Sequence, residues 1–433
     1  MPSLLCALGH CPLQWQETSK VHSIFVALCG LCSEGCCRTD VCKRQSCASQ
    51  KIIKTKETRM KPMETTHSPA AQAAYNDVAI NLAEKLHAAR SAGKTTGDRG
   101  QIPMGDVFPS YNRAGFGVAL EYERMGNQPV SNALLARARS HGVEFEHLGI
   151  TIGTVLHNID LNAELSAEFI AFIRATLLER KVIFFRDQNL PEDAQVDFGR
   201  RFGELDAFPF GKPGKNPFIL EIVHGEGLPG TENNWHTDVT WMERPSLGSI
   251  AQCVQVPPLG GDTLFSDSHA CYLGLPGDLQ TRLQHLHGVN DYRLFVGAGG
   301  RLKLDQDLLD LIKQEIPFGV SHPLLRTHPE TGKTGLYLNG GFLRPDSLFD
   351  GRTGETLDKA VSERLTSQLL QQHSRPEYQC RFAWQPGSIS FWDNRAVQHY
   401  AASDYYPHDR VLRRVTVSGD QPYYDPLPDH PGV

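Results

Sequence analysis

A split set of three donor side chains constrains this chain more than any other feature. His236 and Asp238 lie in Asn234-Trp235-His236-Thr237-Asp238-Val239-Thr240, and His399 lies far downstream in Trp392-Asp393-Asn394-Arg395-Ala396-Val397-Gln398-His399-Tyr400. On a β-strand the side chains at i and i+2 project to one face, so His236 and Asp238 can reach a common point while Thr237 turns away. The third donor then comes from a neighbouring strand, which can lie anywhere in the sequence. Two imidazoles and one carboxylate are the donor set of the facial triad that holds non-haem iron(II) and leaves positions open for a substrate and oxygen. His-x-Asp alone is equally readable as a hydrogen-bonded pair in a polar core or turn. The surrounding sequence has to decide.

Downstream of His399 comes Arg410-Val411-Leu412-Arg413-Arg414-Val415-Thr416-Val417. With a period of two, Val411, Val415 and Val417 share one face and Arg410, Leu412 and Arg414 the other. Two readings stay open. In one, the valines enter the core and the arginines face water. In the other, Arg410 and Arg414 point into a pocket beside the metal, where a rigid guanidinium fork pairs bidentately with carboxylate or sulfonate. A further segment, Pro257-Pro258-Leu259-Gly260-Gly261-Asp262-Thr263-Leu264-Phe265, marks a tight turn between strands, with the Thr263 hydroxyl just past it.

These segments, in this order, resemble the taurine dioxygenase-like (TauD/TfdA) family of iron(II)/2-oxoglutarate-dependent dioxygenases. The resemblance also rests on Val182-Ile183-Phe184-Phe185-Arg186-Asp187-Gln188, on Phe202-Gly203-Glu204-Leu205, and on His322-Pro323 with Arg326-Thr327-His328-Pro329. It implies iron ligands at His236, Asp238 and His399. It also implies that Arg410 and Thr263 hold the far carboxylate of 2-oxoglutarate and that Arg414 holds the anionic head of the prime substrate. His322 and His328 match positions read as structural. The implied co-reactants are Fe(2+), 2-oxoglutarate and O2, with ascorbate supporting turnover in vitro. The implied outcome is hydroxylation of a small anionic organic substrate, coupled to decarboxylation of 2-oxoglutarate to succinate and CO2.

One departure bears on the substrate. Taurine-cleaving members carry a histidine shortly after Gly-Glu-Leu that helps to hold the sulfonate, whereas this chain reads Ala207-Phe208-Pro209-Phe210. An aromatic hydrocarbon ring donates no hydrogen bond. Phe208 therefore predicts a more apolar pocket and a more hydrophobic anion than taurine: a longer alkyl sulfonate, a sulfate ester or a carboxylate. Two other readings use the same donors. A zinc hydrolase would activate water on them, but gives Arg410 and Thr263 no role. A non-catalytic oxo-acid sensor on the same fold is the other, and an intact triad argues against it.

The coarse pattern predicts a mainly β core with flanking helices. A helix over 166–180 places Phe169, Ile170, Ile173 and Leu177 on one face, and a buried strand follows over 182–185. Strands are expected over 218–223, 249–256, 335–339, 378–384 and 388–392. Many short strands with early helices suggest a jelly-roll, and the resemblance implies the same double-stranded β-helix, a cupin-like core. The dioxygenase domain is expected over 145–425, with a tail over 426–433.

Ahead of it, 64–144 reads as a linker and helical extension. It includes an alanine-rich helix over 70–92 with apolar positions Val78, Leu82 and Leu86, then a glycine- and proline-rich loop over 93–111. Eight of the 11 cysteines fall before residue 50. Cys29-x-x-Cys32 with Cys36 and Cys37 is readable as a zinc knuckle or a disulfide framework, but no histidine has partner spacing and little patterning links the cysteines. The 1–63 segment reads rather as a disordered or targeting extension, or as sequence upstream of a true start at Met60 or Met63. A net charge of -6 gives no reason to expect nucleic acid or an anionic membrane as partner. No apolar run approaches the roughly 20 residues that span a bilayer. The expectation is a cytoplasmic homo-oligomer, dimer or tetramer, unless Lys43, Arg44, Lys51, Lys54 and Lys56 form an organellar address.

Overall fold

The computed structural model describes residues 69–92, 111–210, 215–228, 230, 232–292, 305–316 and 319–426. The cysteine-rich 1–63 segment and the glycine- and proline-rich 93–110 stretch lie outside these residues. The chain divides into two units, 1–100 and 101–433. In the first, the alanine-rich stretch forms the helix Pro69–Ser91, and its apolar positions Val78, Leu82 and Leu86 are exposed.

Strands outnumber helices among the described residues of the second unit. In chain order they begin with β1 (Glu144–His147), β2 (Thr154–His157), β3 (Val182–Phe185), β4 (Leu205–Asp206), β5 (Leu220–His224), β6 (Gly248–Gln255), β7 (Thr263–Asp267) and β8 (Leu286–Asn290). There follow β9 (Val320–Pro323), β10 (Leu325–Thr327), β11 (Thr334–Leu336), β12 (Phe349–Asp350), β13 (Gln379–Phe382), β14 (Ile389–Asp393), β15 (Val397–Ala401) and β16 (Arg410–Val417). The main sheet runs β1-β2-β3-β14-β6-β16-β4, with β5 also paired to β16. A second, three-stranded sheet runs β13-β7-β15.

Alternation along β3 shows how the layers stack. Ile183 and Phe185 face helices Asn132–Ser140 and Ala167–Arg180, in a core with Phe172, Ile173, Leu177, Ile250 and Phe391. Val182 and Phe184 face the second sheet and meet Phe265, Cys380, Phe382 and Val397. A strand buried on both faces needs an unbroken apolar run, and Val-Ile-Phe-Phe supplies it. In helix Ala167–Arg180, Ser166 caps the first turn by accepting the Phe169 N–H at 3.1 Å. The face shifts slightly from the expected one, because Phe172 takes the deepest position and Phe169 is only partly buried. No helix of the described residues is long and apolar enough to cross a membrane.

Candidate active site

His236 and His399 meet through backbone before any side chain is considered. The His236 N–H donates to the His399 carbonyl at 3.0 Å, and the His399 N–H donates back to the His236 carbonyl at 2.7 Å. His399 is on β15, whose register against β7 sets it opposite Phe265. His236, by contrast, is in an isolated bridge and not in the regular strand the i, i+2 spacing predicts. Thr237 to Val239 leave strand geometry, and Val239 adopts φ 49°. Side-chain bonds hold this turn: the Thr237 hydroxyl donates to the Asn394 carbonyl at 2.7 Å, and Asn339 Nδ2 donates to the Thr237 carbonyl.

The result is a compact donor set. One ligand atom from each of His236, Asp238 and His399 lies within 4.8 Å of the others. His236 Nδ1 is 2.8 Å from the Asn234 carbonyl, which fixes the proton there and leaves Nε2 as a lone-pair donor. Asp238 accepts the Ser249 hydroxyl on Oδ2 at 2.8 Å and the Arg414 guanidinium on Oδ1 at 2.7 Å.

Burial raises the Asp238 carboxyl, but Arg414, His399 and His236 outweigh it and hold it well below the usual carboxylate range. Burial pushes both imidazoles down, His399 furthest, helped by its neighbour His236. Two neutral imidazoles and an ionised carboxylate are the protonation states a divalent cation needs. This chemistry fits iron(II) or a similar first-row ion.

The two arginines of β16 are buried, so the inward-facing arrangement is the one observed, with Leu412 between them in the core. Arg410 donates from Nε to the Gly261 carbonyl at 2.9 Å and from Nη2 to Thr263 Oγ1 at 3.3 Å. The Gly260-Gly261 turn makes this approach, with φ 79° and 71°, values that glycine adopts without steric cost. Thr263 Oγ1 also accepts the Trp384 indole N–H at 2.9 Å. Among the described residues Arg410 forms no ion pair with a carboxylate. A buried guanidinium without a counter-ion is costly, and a small-molecule carboxylate would complete it.

Arg414 is in the wall of a cavity of about 790 Å³ that also exposes His236 and Asp238. Phe208 is there too, with the Arg414 guanidinium 5.8 Å from its ring centre. The other walls are largely apolar, from Phe210, Leu220, Ile222, Val239 and Phe342, with His224 and Glu232 paired at 3.4 Å. Sequence reasoning did not single out Phe342, His224 or Glu232. Gly340-Gly341 marks the turn that brings Phe342 in, but nothing local distinguishes the other two. His322 and His328 lie outside the cavity: His322 Nε2 donates to the Thr240 carbonyl at 2.8 Å, and His328 Nε2 is 3.0 Å from Asp393.

This fold and site define a class, and comparison with known proteins gives the same one. Residues 144–416 match the family described as "Taurine catabolism dioxygenase TauD, TfdA family", and the chain belongs to it. It is 33% identical over 281 residues to the "Alkylsulfatase" of Acinetobacter baylyi, covering 62% of this chain and 83% of the relative. It is 34% identical over 302 residues to the "Alpha-ketoglutarate-dependent sulfate ester dioxygenase" of Pseudomonas putida, covering 68% and 95%. The solved structure of a taurine dioxygenase from Burkholderia xenovorans superposes with a TM-score of 0.53 at 34% identity, covering 65% of this chain and 92% of the other.

Proposed function

We propose that this chain is an iron(II)/2-oxoglutarate-dependent dioxygenase on a jelly-roll core that hydroxylates a small organic anion with an apolar body, a sulfate ester foremost. The observation that carries this reading is that His236 and Asp238, two members of the compact donor set with His399, open on a largely apolar cavity in which Arg414 is the one lining guanidinium among the described residues. The names of the Acinetobacter and Pseudomonas relatives point to sulfate esters.

His236 Nε2, Asp238 Oδ1 and an imidazole nitrogen of His399 would hold the iron. Arg410 and the Thr263 hydroxyl would hold the far carboxylate of 2-oxoglutarate. When bound, iron(II) and 2-oxoglutarate would supply the electrons that activate O2, the oxidant, with one oxygen atom ending in succinate as CO2 is lost and the other available for the substrate. The chain's own work is placement. Arg414 would seat the anionic head so that the adjacent C–H faces the donor set, and Phe208, Phe210 and Phe342 would exclude water around the alkyl body. Hydroxylation of the carbon bearing the sulfate oxygen gives a hemiacetal ester, which loses sulfate and a proton to leave an aldehyde.

Succinate release from 2-oxoglutarate, measured with iron(II), ascorbate and O2 against alkyl sulfates, alkyl sulfonates and carboxylates, tests the reading. Stimulation by alkyl sulfates, abolished by His236→Ala, is expected. Iron-loaded protein that forms no succinate with any of these compounds would return the zinc hydrolase and the sensor to consideration.

A further inference from the structure

Asp238 has two carboxylate oxygens, and only one can face a metal shared with His236 and His399. Oδ1 lies on that side, 3.9 Å from His399 Nε2. Oδ2 faces inward, where the turn between β14 and β15 carries Asn394, a buried residue. Its amide orientation is settled by chemistry. The Trp392 indole N–H and the Asp238 backbone N–H can only donate, and both point at one atom of the amide, at 2.9 and 3.3 Å. That atom is therefore the oxygen. Thr237 Oγ1, whose proton goes to the Asn394 backbone carbonyl, lies 3.1 Å from this side-chain oxygen. The amide nitrogen then faces Asp238 Oδ2 at 3.3 Å, Ser246 Oγ at 2.8 Å and Ser249 Oγ at 3.4 Å.

We propose that Asn394 is the positioning residue of the metal-binding carboxylate: its side-chain oxygen fixes the backbone of the Thr237-Asp238 segment while its nitrogen, together with Ser249, occupies Asp238 Oδ2 and so turns Oδ1, the oxygen that also accepts Arg414 at 2.7 Å, towards the metal position. One side chain thus holds a ligand residue from both ends, and it lies five residues before the third ligand. The hairpin that delivers His399 also orients Asp238. Outer partners of this kind set ligand direction, and their loss typically weakens metal binding about 10–100-fold. The inference rests on the metal-site reading of the proposed function.

The test is anaerobic titration of the full chain with Co(II), followed by calorimetry and by visible absorption, with thermal melts of the metal-free proteins as the folding control. Asn394→Asp keeps the shape and the accepting oxygen but replaces the donor by a second carboxylate oxygen against Oδ2. We expect Co(II) affinity to fall about 10–100-fold. The absorption bands of the saturated variant should also change, because the carboxylate then binds differently; a merely looser fold would leave the saturated spectrum as in the wild type. If Asn394→Asp does not fold, Asn394→Ala brings no charge and is expected to weaken Co(II) binding about tenfold. A folded variant with wild-type affinity and spectrum overturns the proposal and leaves the dioxygenase reading standing. Wild-type protein that fails to bind Co(II) overturns both.

Discussion

At Arg414 a single guanidinium stands between the Asp238 carboxylate and the cavity, with Nη1 on Oδ1 and Nε buried without a partner among the described residues. A charge-assisted hydrogen bond is worth about 1.5–3 kcal/mol, so Arg414→Ala should raise KM for an alkyl sulfate by roughly 10–150-fold. Metal affinity should not fall in the same variant, since Ser249 still holds Oδ2 and a competing cation has gone. Arg414→Lys should recover only part of the loss, because an ammonium cannot reproduce the fork. Steady-state kinetics beside a metal titration separate these effects, and an unchanged KM would remove Arg414 from substrate recognition. We expect Phe208, which lines the cavity beside Arg414, to set the other half of the preference. Phe208→His restores a donor beside Arg414 and is expected to shift kcat/KM about tenfold towards taurine relative to an alkyl sulfate. Succinate release with each compound reads that ratio directly; no shift would mean that the ring does not govern the choice.

Among the elements, the helix Tyr111–Arg124 places Val118 in an apolar cluster with Ala270, Cys271 and Leu275, and Glu121 in a buried charge cluster. Lys181 Nζ, at the end of helix Ala167–Arg180, lies 2.7 Å from Glu121 and 2.8 Å from Asp267, and all three are buried. Burial would raise Glu121, yet Lys181, His269 and Lys333 hold it far down, while burial and the Glu121 charge push Asp267 up to about 6. Removing one partner from such a cluster leaves uncompensated buried charge, which costs about 3–5 kcal/mol. Lys181→Met should lower unfolding free energy by that amount in a denaturant melt. The triple variant Lys181→Met, Glu121→Leu, Asp267→Asn should recover most of it, because the amide oxygen introduced by Asp267→Asn can still cap the helix Ser268–Leu273. A single variant as stable as the wild type would show that Lys181 does not neutralise the pair.

None of this cluster was legible in the sequence, because its members come from three distant segments. Local signals read better. The Val-Ile-Phe-Phe run fell on β3 without error, and β14 and β13 began one residue later than alternation placed them. The donor set was readable because its spacing is chemical. The turn that presents it was not, since Thr237 to Val239 are held by Asn394 and Asn339, and no local periodicity encodes those contacts. The two arginines of β16 show the same limit: alternation paired them on one face, but only long-range contacts, Leu412 with Phe265 in one cluster and Arg410 on Gly261 and Thr263, made it the inside.

Across the whole molecule, acid should act through buried histidines outside the His236, Asp238 and His399 donor set. His373, His269 and His322 are buried, and burial lowers them to about 3, 4 and 4. Packing fixes each in its neutral form. His269 Nδ1 donates to the Thr334 carbonyl at 2.6 Å, His322 Nε2 to the Thr240 carbonyl, and His373 Nδ1 is 2.9 Å from the Ser266 hydroxyl. Because the folded values are depressed, their contribution to stability is complete above about 6.5, the ordinary histidine value. It is lost as pH falls towards 4, where the unfolded chain takes up three protons that the fold refuses. Asp267 works in the opposite sense: its raised value lets the fold bind a proton below about 6 that the unfolded chain does not. The net difference is at least two protons, since the His236 and His399 imidazoles are depressed too and add to the loss in metal-free protein. Metal-free protein should therefore lose about 2–3 kcal/mol of unfolding free energy per pH unit between pH 6 and 4.5. Denaturant melts at intervals across that range measure the slope. His373→Gln should reduce it by about one proton, or about 1.4 kcal/mol per pH unit. A flat profile would show that these imidazoles can be protonated without opening the core.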